Sequence, residues 1–343
     1  PPDTDTPAPP TATNEPPPFL LADPGPQSVG KRIFKFQDSR RGGREVAISV
    51  WYPALLTEDQ TWKVIGDAPP DMSGAPYPVI LSSAKTGGGF GAHMVSHGFV
   101  HVGIRDIDYY EPWDQNLIDQ PLDFLFALDQ IASQPLEGLE GMLDTERVGV
   151  MGYSFDGYNS LALSGARIDP EFYMDQCKQA SSIDPPLTEW RIWYFCDLAD
   201  KWADFEAQAG SHLTAGEDGL WQPMTDPRIR AVMPMAPEGA WLFGERGLAA
   251  VDRPTLIIGA TEDRGDHGCP YEMEAVYIFE HMSTAESAMI SFIGRDHYMI
   301  MIPEPVERMQ HFATAFFGYY LQGREEYAEY FSQEFVEQYN DLA

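Results

Sequence analysis

The segment Val148-Gly149-Val150-Met151-Gly152-Tyr153-Ser154-Phe155-Asp156-Gly157 constrains the fold more than any other part of this chain. A short apolar run stops at a glycine, a serine follows within a tight turn, and residues 158–165 read as a helix. A strand-to-helix turn of this kind, with small neighbours to relieve crowding, lifts a serine hydroxyl clear of a sheet. The usual spacing is G-x-S-x-G. Here Asp156 stands where the second glycine would be, and Gly157 comes one place late. Serine between glycines is common in ordinary turns, so the flanking sequence has to decide.

Around this turn, strand-like and helix-like segments alternate. Residues 79–82 are apolar and end in the loop Ser83-Ala84-Lys85-Thr86-Gly87-Gly88-Gly89; residues 90–96 then suit a helix and 99–104 the next strand. Pro121 suits a first helical position, with Phe124, Leu125, Leu128 and Ile131 following at helical spacing. After the elbow and a long irregular stretch, residues 231–235, 255–259 and 288–293 are further strands, and a helix over 304–321 is expected to close the fold. Apolar, unalternating strands separated by helices predict a mostly parallel central sheet covered on both faces. Chemistry in such sheets gathers at the carboxyl ends of the strands.

Composition narrows the function classes. With 343 residues and 43% hydrophobic content the chain can build one large core with insertions. No apolar run approaches the ~18 residues of a membrane-spanning helix. A formal net charge of −31 argues against nucleic acid or an anionic membrane surface as partner. Ten prolines fall within the first 26 residues, so residues 1–26 are expected to be a disordered Pro/Thr-rich spacer and residues 27–343 the folded domain. The chain does not begin with Met, and a secreted or surface-tethered protein is expected, its export signal preceding this sequence. Cys177, Cys196 and Cys269 allow one disulfide plus a free thiol, or three unpaired thiols; Cys177 and Cys196 are the closest pair.

A nucleophilic serine needs a base, and the base needs a third group to hold its tautomer. When the serine sits on such an elbow, the chain order is Ser, then Asp or Glu, then His, each after a strand. The strand at 255–259 leads into Ala260-Thr261-Glu262-Asp263, and the strand at 288–293 into Gly294-Arg295-Asp296-His297. Among eight histidines, His93 and His97 fall on a helix, His101 in a strand and His311 in the last helix, while His267 is too close to Asp263 to follow a later strand. His297 is therefore the candidate base. Asp263 is the candidate acid, with Glu262, Asp266 and Glu238 as rivals. Backbone donors for an oxyanion are expected from Phe155 and from Thr86, in the loop after the strand at 79–82. The glycines at 87–89 lack the Lys-Ser/Thr ending of a phosphate loop and the spacing of a dinucleotide fold. Asp263, Asp266, His267 and Cys269 lie close together, but one short loop without a second ligand pair is weak support for zinc, and neither metal nor cofactor is expected.

The chain resembles the platelet-activating-factor acetylhydrolase-like and dienelactone-hydrolase-related serine esterases of the α/β-hydrolase superfamily. The resemblance is carried by residues 32–53, ending in Val50-Trp51-Tyr52-Pro53, by residues 121–129 and 144–151, and by Ser154-Phe155. Asp226-Pro227-Arg228-Ile229-Arg230-Ala231-Val232 and residues 254–259 extend it, so that it covers most of residues 30–325. It implies an α/β-hydrolase fold and a serine carboxylic-ester hydrolase, with Ser154 as nucleophile, Asp263 as acid, His297 as base, and Thr86 and Phe155 as oxyanion donors. Two positions depart from the group: Ala84-Lys85 replaces the usual His-Gly, and Asp156 replaces glycine. The cysteine nucleophile of true dienelactone hydrolases is also missing, so that activity is not implied.

Residues 166–226 exceed what such a core needs and read as an inserted lid. Four of the eight tryptophans lie there, Trp190, Trp193, Trp202 and Trp221, together with Tyr194 and Phe195. Trp190 and Trp193 are candidates to wall an acyl or aryl pocket; the aromatics could equally be the insertion's own core. Short-acyl, lipid-like or aryl esters are the expected substrates. Polyesters come next, in a cutinase-like reading, and a catalytically impaired hydrolase-fold binding protein is the alternative from another class. The sequence leaves the oligomeric state open. Asp156, in the first helical turn, is expected to meet the positive end of the helix dipole, an effect of ~0.3–1 kcal/mol at exposed sites, with its side chain pointing away from the oxyanion. On that reading Asp156→Gly preserves hydrolysis.

Overall fold

The computed structural model describes residues 16–56, 64–84, 86–105, 113–183, 186–264 and 270–343. Strands β1 (Ser28–Asp38) and β2 (Arg44–Ala54) form an antiparallel hairpin, and β3 (Val64–Gly66) runs parallel to β1 at one edge. β4 (Tyr77–Ser83), β5 (Val100–Ile104), β6 (Leu143–Tyr153), β7 (Ile229–Met235), β8 (Thr255–Ala260) and β9 (Ser287–Phe292) follow. Among the described residues they make one nine-stranded sheet in the order β3-β1-β2-β5-β4-β6-β7-β8-β9. β2 meets β5 antiparallel; from β5 onward every pairing is parallel. Every residue of β4 and β8 is buried, as expected for strands covered on both faces.

Among the described residues the α-helices are α1 (Ala92–Ser96), α2 (Asn116–Ser133), α3 (Phe155–Leu163), α4 (Pro170–Gln179), α5 (Glu189–Cys196), α6 (Trp202–Ala209), α7 (Ser211–Thr214), α8 (Ala240–Leu248), α9 (Tyr277–His281), α10 (Pro303–Gln322) and the short α11 (Gln333–Val336). Side chains alternate across the sheet and sort the layers. Ile80, Met151, Met233 and Ile258 face α1 and α10, packing with Met94, Phe312 and Phe316. Val79, Leu81, Val148 and Val150 face α2 and α3, packing with Phe124, Leu128 and Leu163. No described helix is long and apolar enough to cross a membrane.

The chain leaves β4 for β5 on one side and returns to β6 on the other, so the direction of winding reverses between β4 and β6. Crevices for ligands open at such a reversal, outside the carboxyl ends of the strands. The elbow turn follows β6 and the Thr86 loop follows β4, so both flank this point.

Three expectations are corrected. Of the expected spacer, residues 1–15 lie outside the described residues, and residues 16–26 are held against the fold at particular points: Phe19 stacks on Tyr339 at 4.5 Å and meets Phe312 and Phe335 edge-on, while the Leu21 amide donates to His311 Nδ1 at 3.1 Å. Apolar Phe19 and Leu21 supply burial that the surrounding prolines cannot. Pro121 lies inside α2 rather than at its start. Proline has no amide hydrogen for the carbonyl one turn back, and the Tyr158 hydroxyl donates to that Leu117 oxygen instead, at 2.5 Å. Nor does α10 close the fold. The chain returns to the free edge of β9, where Ser291 and Ala343 exchange backbone hydrogen bonds of 2.7 and 3.0 Å.

Between α3 and β7 stand the helices α4 to α7, and the Cys177–Cys196 disulfide joins α4 to α5. Tyr173 stacks on Trp202 at 5.1 Å and Phe205 on Trp221 at 5.3 Å, an aromatic interior continuous with Tyr158, Leu161 and Trp241 of the main core. Trp190, which stacks on Tyr194 at 5.2 Å, and Trp193 lie at its margin, 40% and 46% exposed.

Candidate active site

Ser154 occupies the turn between β6 and α3 with φ 62° and ψ −125°, a backbone conformation that costs an L-residue of order 1–3 kcal/mol. Its neighbours over-determine that geometry. The Ser154 amide donates to Met235 O of β7 at 2.9 Å, and the Gly157 amide donates back to Ser154 O at 2.8 Å. Gly152 is obligatory, since a Cβ there would lie 2.2 Å from the backbone oxygen of Asp156. Gly157, not position 156, makes the close approach to the neighbouring strand end: its Cβ would lie 2.8 Å from Pro237 Cα. The late glycine in the motif thus has a steric reason.

Three strand ends converge on one hydrogen-bonded chain. His297 Nε2 lies 2.9 Å from Ser154 Oγ, and His297 Nδ1 lies 2.7 Å from Asp263 Oδ2. A carboxylate can only accept, so the pairing with Asp263 places the proton on Nδ1 and leaves Nε2 to accept from the serine hydroxyl. Asp263 is buried, and the His297 side chain is mostly so. The loops are laced together: Glu262 N donates to Arg295 O at 2.8 Å and Gly294 N to Thr261 Oγ1 at 2.9 Å. Tyr153, next to the serine, donates its hydroxyl to His297 O at 2.8 Å and fixes the histidine backbone. That tyrosine carried no signal in the sequence beyond its place before Ser154.

The rivals for the acid position lie elsewhere. Glu262 turns outward to Arg264 at 2.5 Å. Glu238 is buried on the loop after β7, accepting from Trp113 Nε1 and from the Tyr194 hydroxyl of α5, both at 3.2 Å. It fastens the insertion to the sheet. Burial pushes its carboxyl above the usual range, while the Arg191 charge, the Trp113 hydrogen bond and the nearby His297 pull it back. Glu274, also buried, accepts from the Ala240 amide at 2.9 Å; burial holds its carboxyl well above the ordinary value, with the charge of Glu238 adding to the effect. Asp266, His267 and Cys269 lie outside the described residues, and so does Lys85. Among the described residues no group of three or more His, Cys, Asp or Glu could hold a metal ion.

Phe155 opens α3, where the first amides have no partner within the helix. Thr86 stands just beyond β4, at the start of the turn Gly87–Gly91 that leads into α1. Neither amide donates a hydrogen bond among the described residues.

Asp156 departs from expectation. Its carboxylate is buried, not spread over an exposed helix end, and it reaches back to the β4 loop. Oδ2 accepts from the Ser83 amide at 2.9 Å and from Thr86 Oγ1 at 3.4 Å, while Oδ1 accepts from Asn159 Nδ2 at 3.2 Å. Burial pushes this carboxyl up to about 6, against the pull of the hydrogen bonds from Ser83, Asn159 and Thr86. The placement in the first turn of α3 is as expected; the helix dipole is only part of what holds the charge.

A hydroxyl joined through imidazole to a carboxylate can give up its proton as it attacks an electrophilic carbon, and the imidazole can return that proton to a leaving group. No protein-family model and no curated protein matches this chain.

Proposed function

We propose that this chain is a serine carboxylic-ester hydrolase of the α/β-hydrolase fold, related to the platelet-activating-factor acetylhydrolase-like esterases. The observation that carries the reading is the hydrogen-bonded chain Ser154–His297–Asp263, assembled after β6, β9 and β8 in the chain order such enzymes use. His297 takes the proton from Ser154 Oγ as it attacks the ester carbonyl. The oxyanion forms against the amides of Phe155 and Thr86. His297 then protonates the departing alcohol, leaving an acyl-enzyme. Water, deprotonated by the same imidazole, attacks the acyl carbon; the tetrahedral intermediate collapses to release the acid and restore the serine. Asp263 holds the imidazole tautomer throughout. These steps draw on side chains, backbone amides and water alone.

The substrates we propose are short-acyl, lipid-like or aryl esters, because Trp190 and Trp193 present apolar rings on the insertion. A polymeric ester is the second reading, favoured by Tyr298, Met301 and Ile302, which follow His297 and are 48%, 76% and 39% exposed. An oxidising, extracellular setting is part of the proposal and is supported by the Cys177–Cys196 disulfide. The test is turnover of aryl esters of graded acyl length by the wild type and by Ser154→Ala. Hydrolysis that is lost in folded Ser154→Ala supports the reading; hydrolysis that persists rules it out.

A further inference from the structure

We propose that Asp156 is a positioning residue that holds the Thr86 loop in register with the nucleophile elbow, so that its carboxylate sets the oxyanion hole from behind. The inference rests on the esterase reading given above. The two halves of the hole come from separate segments: Phe155 belongs to the β6–α3 turn, and Thr86 to the loop after β4. An oxyanion is stabilised only if both amides are fixed at the correct spacing before the reaction begins. On the β5 side the ladder holds the start of this loop, through Ser83 opposite Ile104 and the Ala84 amide donating to Ile104 O at 2.7 Å, but on the side of the elbow the β4–β6 pairing stops at Leu81.

Asp156 supplies the connection on the elbow side. From the first turn of α3, beside Phe155, it receives the Ser83 amide at 2.9 Å and the Thr86 hydroxyl at 3.4 Å on a single oxygen. Its other oxygen is held by Asn159 at 3.2 Å, and Asn159 is in turn held by Gln120 Oε1 of α2 at 2.8 Å. Asp156 is 1% exposed and Asn159 fully buried, so the connection is dry and stiff. A glycine at position 156 could make none of these contacts, so the loop after β4 would keep its hold on β5 and lose its tie to the elbow.

The same geometry says which substitute can serve. In Asp156→Asn the amide oxygen can keep both contacts to the β4 loop, and the new NH2 group needs an acceptor on the side of Asn159. Asn159 Oδ1 is a buried acceptor with no hydrogen-bond partner among the described residues; a flip of that amide presents it to the new NH2 group and gives up the Nδ2 contact to Gln120 Oε1, while the contacts to the β4 loop are kept. Ala and Gly offer no replacement.

The experiment compares Asp156→Asn, Asp156→Ala and Asp156→Gly with the wild type, using an activated aryl ester and a trifluoromethyl ketone whose adduct with serine carries an oxyanion. A misplaced donor costs on the order of 10²-fold in the chemical step. The Ala and Gly variants should therefore lose about 10²-fold in kcat with KM little changed, and bind the ketone correspondingly more weakly. The Asn variant should stay within a few-fold on both readouts. Thr86→Val, which removes only the hydroxyl contact, gives a second reading should the Ala and Gly variants not fold; it should lower kcat and ketone affinity together. Wild-type kcat and ketone affinity in folded Asp156→Ala, a loss in Asp156→Asn equal to that in Ala, or a kcat unmoved by Thr86→Val would overturn the inference. Ser154→Ala is run alongside. Turnover that survives there defeats the esterase reading itself, whereas a dead Ser154→Ala with unimpaired Asp156→Ala defeats only the role of Asp156.

Discussion

Replacing Asp156 by asparagine should alter how stability depends on pH, with a sign and size fixed by where the carboxyl sits. The group titrates from an ordinary value of 3.8 in the unfolded chain and at about 6 in the fold, because burial penalises its charge. Between those values the folded state holds more protons than the unfolded one, so stability falls as pH rises. Below 3.8 both states are protonated and the term vanishes; above about 6 it is fully present. The gap of roughly two pH units corresponds to about 3 kcal/mol at 1.36 kcal/mol per unit. Asparagine does not titrate, so the stability of Asp156→Asn minus that of the wild type should climb by about 3 kcal/mol from pH 3 to pH 8. Urea unfolding of both proteins at half-unit intervals measures it. Glu238 and Glu274 are shifted in the same direction, but they occur in both proteins, and the subtraction removes them. A difference that stays flat across this range, or that falls with pH, would refute the assignment of a buried, destabilised charge at this position.

Three further outcomes follow from the site. Asp263→Asn should lower kcat by about four orders of magnitude, by favouring the wrong imidazole tautomer, whereas Glu238→Gln should change it less than tenfold; steady-state kinetics with the reverse ranking would move the acid to β7. Trp190→Ala or Trp193→Ala should raise KM most for bulky and aryl esters and little for acetyl esters, and equal losses on all substrates with a lower Tm would assign these rings to packing alone. Cys177→Ser should cost up to about 3 kcal/mol in unfolding free energy, the chain-entropy value for closing a loop of this length, as read by denaturant titration under non-reducing conditions.

Much of the architecture is readable because local sequence and global position agree. Apolar runs without alternation, such as Val79-Ile80-Leu81 and Leu256-Ile257-Ile258, suit strands buried on both faces, and the order of such strands places Ser154, Asp263 and His297 after the carboxyl ends of β6, β8 and β9. What stays hidden depends on contacts distant in sequence. Asp156 looks like a helix-start carboxylate until the β4 loop folds back onto it, more than seventy residues away. Pro121 looks like a helix start, since nothing nearby in sequence shows that the Tyr158 hydroxyl will take over the freed carbonyl. Phe19 and Leu21 are short apolar marks in a proline-rich segment, and only the surface made by α10 and the C-terminal residues gives them a place to pack. Glu238 sits after a strand end and so competes with Asp263 on pattern alone; burial against Trp113 and Tyr194 separates them.

In the proposed reaction Ser154 forms a covalent acyl-enzyme, with His297 as its base. That step is tested most directly by quenching the hydrolysis of an activated aryl ester in acid and locating the acyl group by peptide mass spectrometry. One acyl adduct is expected, on the peptide bearing Ser154, and it should disappear in Ser154→Ala together with hydrolysis. An adduct on another residue, or turnover that persists in folded Ser154→Ala, would contradict it.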